Sequence, residues 1–174
     1  MPLPKEVLLK YRNDVFIETG TLHAEATRLA IECGFSVVHS MDIDANLIAG
    51  HKTAQAASGK FNVHFYAGSS ADLLPAILKN VSGRITFWLD AHPPGNVLDL
   101  QNTPVVGELE AIRDYARNLP REQLPTVMLD DMRLFTDQAK LVIAETLRAA
   151  WAGELSFEDT HIASKDIMVY RPSM

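Results

Sequence analysis

The sequence predicts an α/β fold with a doubly wound, mostly parallel sheet of seven strands and helices on both faces. Short apolar runs alternate along the chain with longer amphipathic stretches, as strands and helices do when they follow one another. The runs are apolar at successive positions, which indicates strands that helices cover on both sides. With 174 residues, 47% of them hydrophobic and 22% charged, the chain suits one globular core. We therefore expect a single domain over residues 1–174.

Local signals place the individual elements. Gly20 follows the first strand, and Gly34 ends the next helix as a C-terminal cap would. Asp44 is placed to cap the second helix. The last two strands have no clear helix between them, so we expect a closing hairpin with an antiparallel member. The predicted strands are residues 15–17, 35–41, 63–67, 85–89, 126–129, 155–157 and 167–170, and the predicted helices are residues 22–33, 45–58, 71–80, 104–119 and 137–151.

Charge, cysteine content and hydropathy bound the partners and the compartment. The formal charge is −6 with histidine neutral, and such a surface repels polyphosphate, so we expect no nucleic-acid partner. A single cysteine, Cys33, excludes an intrachain disulfide and fits a reducing cytoplasm. No run approaches the roughly 18 apolar residues of a membrane helix, and the first residues do not resemble a signal peptide. We expect a cytoplasmic protein without a membrane partner.

Polar residues follow the predicted strands where each strand ends. Ligands of doubly wound sheets bind beyond the carboxyl ends of the strands, which makes these residues the candidates for a site. Helix capping in the loops after strands accounts for Asp44 and Ser70. It accounts less well for the acids that end strands. The candidates are Glu18, Asp42, Ser69, Asp90, His92, Asp130 and Asp131.

The first strand end favours a nucleoside without a diphosphate. Gly20 permits a sharp turn and a close approach of a ligand to the backbone. The chain lacks the Gly-x-Gly-x-x-Gly spacing that holds a pyrophosphate, which disfavours a dinucleotide. Asp42 follows Glu18 at close to the spacing of about 20 residues at which an acid meets ribose hydroxyls. Adenosine fits both observations.

These segments resemble the motifs of class I S-adenosylmethionine-dependent methyltransferases. Residues 16–21 resemble the motif that lies beside the amino-acid part of the cofactor, and residues 40–44 resemble the motif that holds the ribose. Residues 68–71 resemble the turn beside the adenine, and residues 88–92 resemble the fourth motif of the family. The resemblance runs from about residue 15 to 170. It departs at Ala24, where the family often has a second glycine, and we expect the Ala24 methyl to be tolerated on a helix. The resemblance implies cofactor contacts at Glu18, Gly20, Thr21, Asp42, Ile43, Gly68, Ser69, Ser70 and Asp90.

Three acids at neighbouring strand ends raise the question of a metal. Asp90 and the Asp130–Asp131 pair resemble the acids of metal-dependent O-methyltransferases of catechol and macrolide-sugar type. The resemblance implies that Asp90, Asp130 and Asp131 hold Mg²⁺, which takes oxygen ligands and lowers the pKa of a substrate hydroxyl. Alternatively, Asp90 receives the substrate proton alone or positions the methionine ammonium, while Asp131 caps or pairs with Arg133.

His92 is the candidate general base. It stands two residues past the fourth strand and directly before Pro93 and Pro94, which restrict the backbone there. Because an imidazole titrates near neutrality, we expect His92 and Asp90 to act on the acceptor. The alternative is a structural loop residue.

The sequence therefore favours a methyltransferase with a small hydroxylated or amine acceptor. A non-catalytic binding protein that keeps the fold is the alternative, and an NAD-binding oxidoreductase is disfavoured by the missing glycines. Few residues precede the first strand. Either the segment from His92 to Thr103 covers the site or a second subunit does, and the second arrangement predicts a homodimer.

Overall fold

The computed structural model describes residues 3–59, 62–95 and 97–173. Its strands form one seven-stranded sheet in the order β3-β2-β1-β4-β5-β7-β6. The strands are β1 (Val15–Thr19), β2 (Val37–Asp42), β3 (Val63–Ala67), β4 (Ile85–Leu89), β5 (Thr126–Leu129), β6 (Gly153–Glu158) and β7 (Ile167–Pro172). The helices are α1 (Lys5–Lys10), α2 (Glu25–Glu32), α3 (Ala45–Ser58), α4 (Ser70–Leu78), α5 (Val105–Ala116) and α6 (Asp137–Ala150), with one 3₁₀ turn at Arg121–Gln123.

Strands β1 to β5 pair in parallel, and β7 runs antiparallel between β5 and β6. The predicted closing hairpin is thereby confirmed. Because β1 lies between β2 and β4, the strand order reverses at β1, and the carboxyl ends of β1, β2 and β4 meet at the edge where such sheets bind ligands.

Apolar side chains pack on both faces of the sheet, as the runs of successive apolar residues predict. On one face Phe16 and Trp88 pack in a cluster with residues of α1, α2 and α3. On the other face Ile17 and Phe87 pack in a cluster with residues of α4, α5 and α6. The doubly wound α/β fold expected from the sequence is therefore confirmed.

The segment between β1 and α2 differs from its expected form. The sequence predicts a helix from residue 22, but α2 begins at Glu25, and a turn closed by the Ala24 N–H donating to the Thr21 carbonyl precedes it (2.6 Å). Leu22 and Ala24 both have positive φ angles, of 40° and 54°. The expectation that Ala24 lies on a helix is wrong. Its methyl instead sits at a left-handed position that glycine occupies with less strain.

Helix α1 is the element that the sequence analysis does not predict. It is a single short stretch preceded by Pro4, and no side chain caps it. Its Val7 and Leu8 are buried against the first face of the sheet. Tertiary packing therefore stabilises this helix, which is too short for a periodic pattern of apolar residues to predict it.

The segment between His92 and Thr103 is anchored at its centre. Leu98 is fully buried, its N–H donates to the Leu134 carbonyl (2.9 Å), and its carbonyl accepts from the Thr136 N–H (3.0 Å).

Within the residues that the structure describes, no helix is long and apolar enough to cross a membrane.

Candidate functional site

A cavity of about 630 Å³ opens at the carboxyl ends of β1 to β4. Its wall is formed by the strand ends and by the segment that begins at His92. Eight residues that the sequence singles out line it, namely Gly20, Asp42, Ile43, Gly68, Ser69, Ser70, Asp90 and His92. Pro93, Pro94 and Asn102 also line it, so residues near both ends of the segment from His92 to Thr103 contribute to the wall.

Gly20 is held against the end of β4. Its φ angle is +82°, and a Cβ atom added there would lie 2.5 Å from the carbonyl oxygen of Asp90. The Gly20 and Thr21 N–H groups both donate to the Met41 carbonyl (2.9 and 3.1 Å). The turn after β1 therefore joins β2 to β4, and only glycine fits it without displacing Asp90.

Glu18 and Thr21 are buried and do not line the cavity. Glu18 is 2% exposed and accepts hydrogen bonds from Ser40 Oγ (2.5 Å) and from the Thr27 hydroxyl. Thr21 Oγ1 pairs with Ser40 Oγ at 2.7 Å. Burial raises the pKa of Glu18 to about 7. Cofactor contacts at Glu18 and Thr21 stay a prediction, and the contacts that they make here support the turn.

Asp42 accepts hydrogen bonds from two backbone amides. Its Oδ2 accepts from the Leu22 N–H (2.9 Å) and its Oδ1 from the Asp44 N–H (3.0 Å). Asp44 in turn caps α3 by accepting from the N–H groups of Asn46 and Leu47. The capping role expected for Asp44 is confirmed. The capping role expected for Ser70 is wrong, because Ser70 lies inside α4 and its hydroxyl donates to Glu108 instead. The Asp42 carboxylate is thus fixed in direction at the cavity wall.

His92 is held between two carboxylates. Its Nε2 lies 2.9 Å from Asp131 Oδ2 and 3.6 Å from Asp90 Oδ1. Its Nδ1 lies 2.9 Å from the Pro93 carbonyl oxygen, and since a carbonyl only accepts, Nδ1 carries a proton. The hydrogen bonds to Asp131 and Asp90 raise the pKa of His92 to about 10. At neutral pH the side chain is an imidazolium, whereas the sequence leads us to expect a group that titrates near neutrality.

Asp131 also pairs with a cation on its other side. Its Oδ1 lies 2.6 Å from Arg133 Nη1, and Arg133 also binds the buried Asp166. The hydrogen bond from His92 and the charge of Arg133 lower the pKa of Asp131 despite its burial. The pairing with Arg133 that the sequence leaves open is therefore present. The φ angle of Asp131 is +57°, a strained conformation that aims its carboxylate between His92 and Arg133.

The three acids predicted to bind a metal divide between two clusters. Possible ligand atoms of Asp90, His92 and Asp131 lie within 4.8 Å of one another, as do those of Asp130, Asp131 and Asp166. Asp130 is 2% exposed; its Oδ1 accepts from the Asp131 N–H (2.7 Å), and its Oδ2 has no partner among the described residues. Burial, and next the charge of Asp90, raise the pKa of Asp130 to about 8. A buried carboxylate oxygen without a donor fits a bound cation.

Glu108 contacts a residue of the cavity wall, although the sequence analysis does not single it out. It lies on α5, is 1% exposed, and accepts a hydrogen bond from Ser70 Oγ (2.5 Å). Burial raises its pKa to about 7. A signal was available, because Glu108 falls on the apolar stripe of α5 beside Val105, Leu109 and Ile112. Asp166, in the turn between β6 and β7, gives no comparable signal.

Comparisons with known proteins relate the chain to others through its structure. No family model matches the sequence, and no curated protein matches it. An rRNA methylase from Streptococcus thermophilus is similar in structure, with a TM-score of 0.58 and 13% identity over 98% of this chain and 94% of that one. A Streptococcus mutans protein assigned as a methyltransferase and solved in complex with SAH has a TM-score of 0.60 and 12% identity over 98% and 99%. An O-methyltransferase family protein from Burkholderia thailandensis has a TM-score of 0.57 and 13% identity over 97% and 54%. The chain has the fold of class I S-adenosylmethionine-dependent methyltransferases.

Proposed function

We propose that the protein transfers the methyl group of S-adenosylmethionine to a hydroxyl or amine of a small acceptor. One observation carries the proposal: the Gly20 turn, Asp42 and Asp90 converge on a single cavity of about 630 Å³ at the carboxyl ends of β1, β2 and β4. This is the edge of the sheet at which the strand order reverses. The SAH complex of the similar Streptococcus mutans protein supports the same ligand here.

The cavity offers a contact for each part of the cofactor. Asp42 would take the ribose hydroxyls, since its carboxylate stands at the wall and is fixed by two amides. The Gly20 turn would lie beside the amino-acid part of the cofactor, and Ser69 and Ser70 would lie beside the adenine. The cofactor supplies a methyl group already activated by its sulfonium. The remaining task of the protein is to align donor and acceptor.

Asp90 and His92 stand where the acceptor would enter. His92 Nδ1 is held by the Pro93 carbonyl, so Nε2 is the atom that can take a proton from the acceptor. It does so only after losing the proton that it shares with Asp131. We assign His92 the role of general base or of its helper, with Asp90 beside it.

A divalent cation such as Mg²⁺ is the second part of the proposal. Asp90, Asp130 and Asp131 would hold it, with Asp131 as the acid that belongs to both clusters. The unpartnered Oδ2 of Asp130 supports this assignment. Oxygen donors suit Mg²⁺. Two cationic side chains compete with it, because the Arg133 guanidinium already neutralises Asp131 and the His92 imidazolium lies between Asp131 and Asp90. The cation would supply charge stabilisation for an acceptor oxygen.

RNA is the second candidate acceptor. Two proteins named as rRNA methylases and one named as an RNA methyltransferase are among the similar structures, whereas the formal charge of −6 opposes a polyanion. We favour a small acceptor because the segment from His92 to Thr103 already forms part of the cavity wall. A homodimer that completes the wall stays a prediction.

Calorimetry with S-adenosylmethionine and S-adenosylhomocysteine tests the proposal. Asp42→Ala should weaken binding by about tenfold or more, because a charged acceptor of hydrogen bonds is lost. Asp44→Ala is the matched control, since Asp44 caps α3 and does not line the cavity. Thermal unfolding confirms that both variants fold. Binding of NAD with no heat from either adenosyl ligand would overturn the proposal in favour of an oxidoreductase, and cofactor binding without transfer to any acceptor would favour a non-catalytic protein.

A further inference from the structure

We propose that Glu108 determines which base the cavity accepts, by accepting the hydrogen bond of the Ser70 hydroxyl and leaving the Ser70 oxygen free only to accept one from a ligand. The wall at Ser70 then selects a ligand group that donates a hydrogen bond, such as the exocyclic amine of adenine. Glu108 is in this sense a positioning residue, since it acts through Ser70. The inference rests on the proposed function, which places an adenosyl group in this cavity.

The contact between the Ser70 and Glu108 side chains is short and buried. Ser70 Oγ lies 2.5 Å from Glu108 Oε1, and the two residues are 5% and 1% exposed. A serine hydroxyl has one proton and two lone pairs. While Oγ donates to the carboxylate, it can only accept from a ligand.

Helix packing holds Glu108 in this position. Gly107 lies directly before it, and a Cβ atom added at Gly107 would lie 2.7 Å from the Cβ of Ala71 on α4. The absence of a side chain at Gly107 therefore lets α5 approach the first turn of α4, where Ser70 lies. The Glu108 carboxyl group therefore lies against the first turn of α4.

Glu108 makes no ion pair with any described residue. The charge of another acid, Asp90, adds to the rise in the pKa of Glu108. A buried carboxyl without a counter-ion is a poor way to stabilise a fold. The place of Glu108 beside Ser70 is better explained by the direction that it gives to the Ser70 hydroxyl proton.

The chemistry of the base makes the inference testable. Adenine presents an amino group at its 6 position, whereas hypoxanthine presents a carbonyl there, which accepts. An acceptor-only wall leaves two acceptors facing each other in the inosyl complex, and unpaired polar groups of this kind weaken binding strongly.

The experiment compares S-adenosylhomocysteine with S-inosylhomocysteine by calorimetry at about pH 8.5, where the Glu108 carboxyl is ionised. The unaltered protein should favour the adenosyl ligand by at least about tenfold. Ser70→Ala should reduce this preference by weakening the adenosyl complex alone. Glu108→Ala should reduce it differently, by strengthening the inosyl complex, because the freed Ser70 hydroxyl can turn and donate. Glu110→Ala, an exposed change on the same helix, should leave the ratio unchanged.

Equal ratios in the unaltered protein, Ser70→Ala and Glu108→Ala would overturn the inference and leave the proposed function intact, since the adenosyl ligand would still bind. If Glu108→Ala does not fold, Ser70→Ala decides, and an unchanged preference there overturns the inference. Absence of adenosyl binding in the unaltered protein overturns the proposed function, and the inference with it.

Discussion

The Nε2 atom of His92 lies 2.9 Å from Oδ2 of Asp131, and this contact decides when the imidazole is available as a base. The second ring nitrogen already donates to the Pro93 carbonyl. The contact with Asp131 therefore requires a second ring proton, which is the protonated form. A base in this arrangement is switched off at neutral pH unless its proton moves to solvent or to Asp131.

We expect the rate of methyl transfer to rise with pH toward about 10 instead of levelling off above the ordinary histidine pKa of about 6.5. Because the folded pKa of His92 is raised, the stability that its contacts contribute is fully present below about pH 6.5. It is lost as pH rises through about 10. Asp131→Asn should lower the pKa of His92 and move the rate profile to lower pH. NMR titration of the imidazole and a pH–rate profile measure both effects.

Asp114→Asn, which removes an exposed carboxylate on α5, should leave the His92 titration where it is. A His92 pKa near neutrality in the unaltered protein would contradict the interpretation. So would a rate that is flat across this range, and the base would then be sought among the aspartates.

Asp130 provides a test for the cation. Its folded pKa is raised, so its ionised form destabilises the protein increasingly as pH rises above the ordinary aspartate pKa. In metal-free buffer at about pH 9, Asp130→Asn should be as stable as the unaltered protein or more stable. Mg²⁺ should raise the melting temperature of the unaltered protein and not that of the variant.

Chelator should also abolish transfer, and Mg²⁺ should restore it, while cofactor affinity barely changes. If neither chelator nor Mg²⁺ changes the melting temperature or the rate, the metal-free alternative is favoured. In that alternative Asp90 acts without a metal and Asp131 pairs with Arg133.

Gly20→Ala should damage both stability and cofactor binding. The added Cβ would meet the Asp90 carbonyl at 2.5 Å in a backbone conformation that alanine resists. We expect a loss of at least about 2 kcal/mol in the free energy of unfolding, measured by denaturant titration, with loss of calorimetric binding. Gly50→Ala, on α3 and with nothing near its added Cβ, should instead be neutral or stabilising by up to about 1 kcal/mol. Equal effects at both positions would show that the turn does not need its glycine.

Ala24→Gly should stabilise the protein by about 0.5–1 kcal/mol, since the alanine has a φ angle of 54°. The loss of one buried methyl offsets part of this gain. Ala49→Gly, at an exposed position within α3, should destabilise by about 1 kcal/mol. Thermal unfolding compares the two, and a destabilised Ala24→Gly would mean that methyl packing outweighs the backbone strain.

Much of the fold could be predicted because its strands are apolar at successive positions. The boundaries near Ala24 could not, since the amphipathic pattern runs through residues 22–24 while the backbone there turns sharply. Asp42, Asp90 and His92 line one cavity, as the expectation that ligands bind at the carboxyl ends of the strands predicts. It could not indicate that His92 would face Asp131, because that contact depends on the strained backbone of Asp131.

The buried acids of the site were the least predictable part. Glu108 lies on a helix that follows the usual pattern, and a single acid on the apolar stripe is easily taken for the edge of the polar face. Asp166 lies in the turn between β6 and β7, and this turn places its carboxylate beside Arg133. Its position follows from the pairing of these two strands, which no local pattern encodes.

Three of the buried carboxyl groups described above have consequences for electrophoresis. Glu18, Glu108 and Asp130 have pKa values raised by burial to between about 7 and 8, so they are largely neutral at the sequence isoelectric point of about 5.4. The native protein should therefore focus at a higher pH than the same chain in urea. Near neutral pH it also carries less negative charge than the formal −6, which weakens the electrostatic repulsion of a polyanionic acceptor.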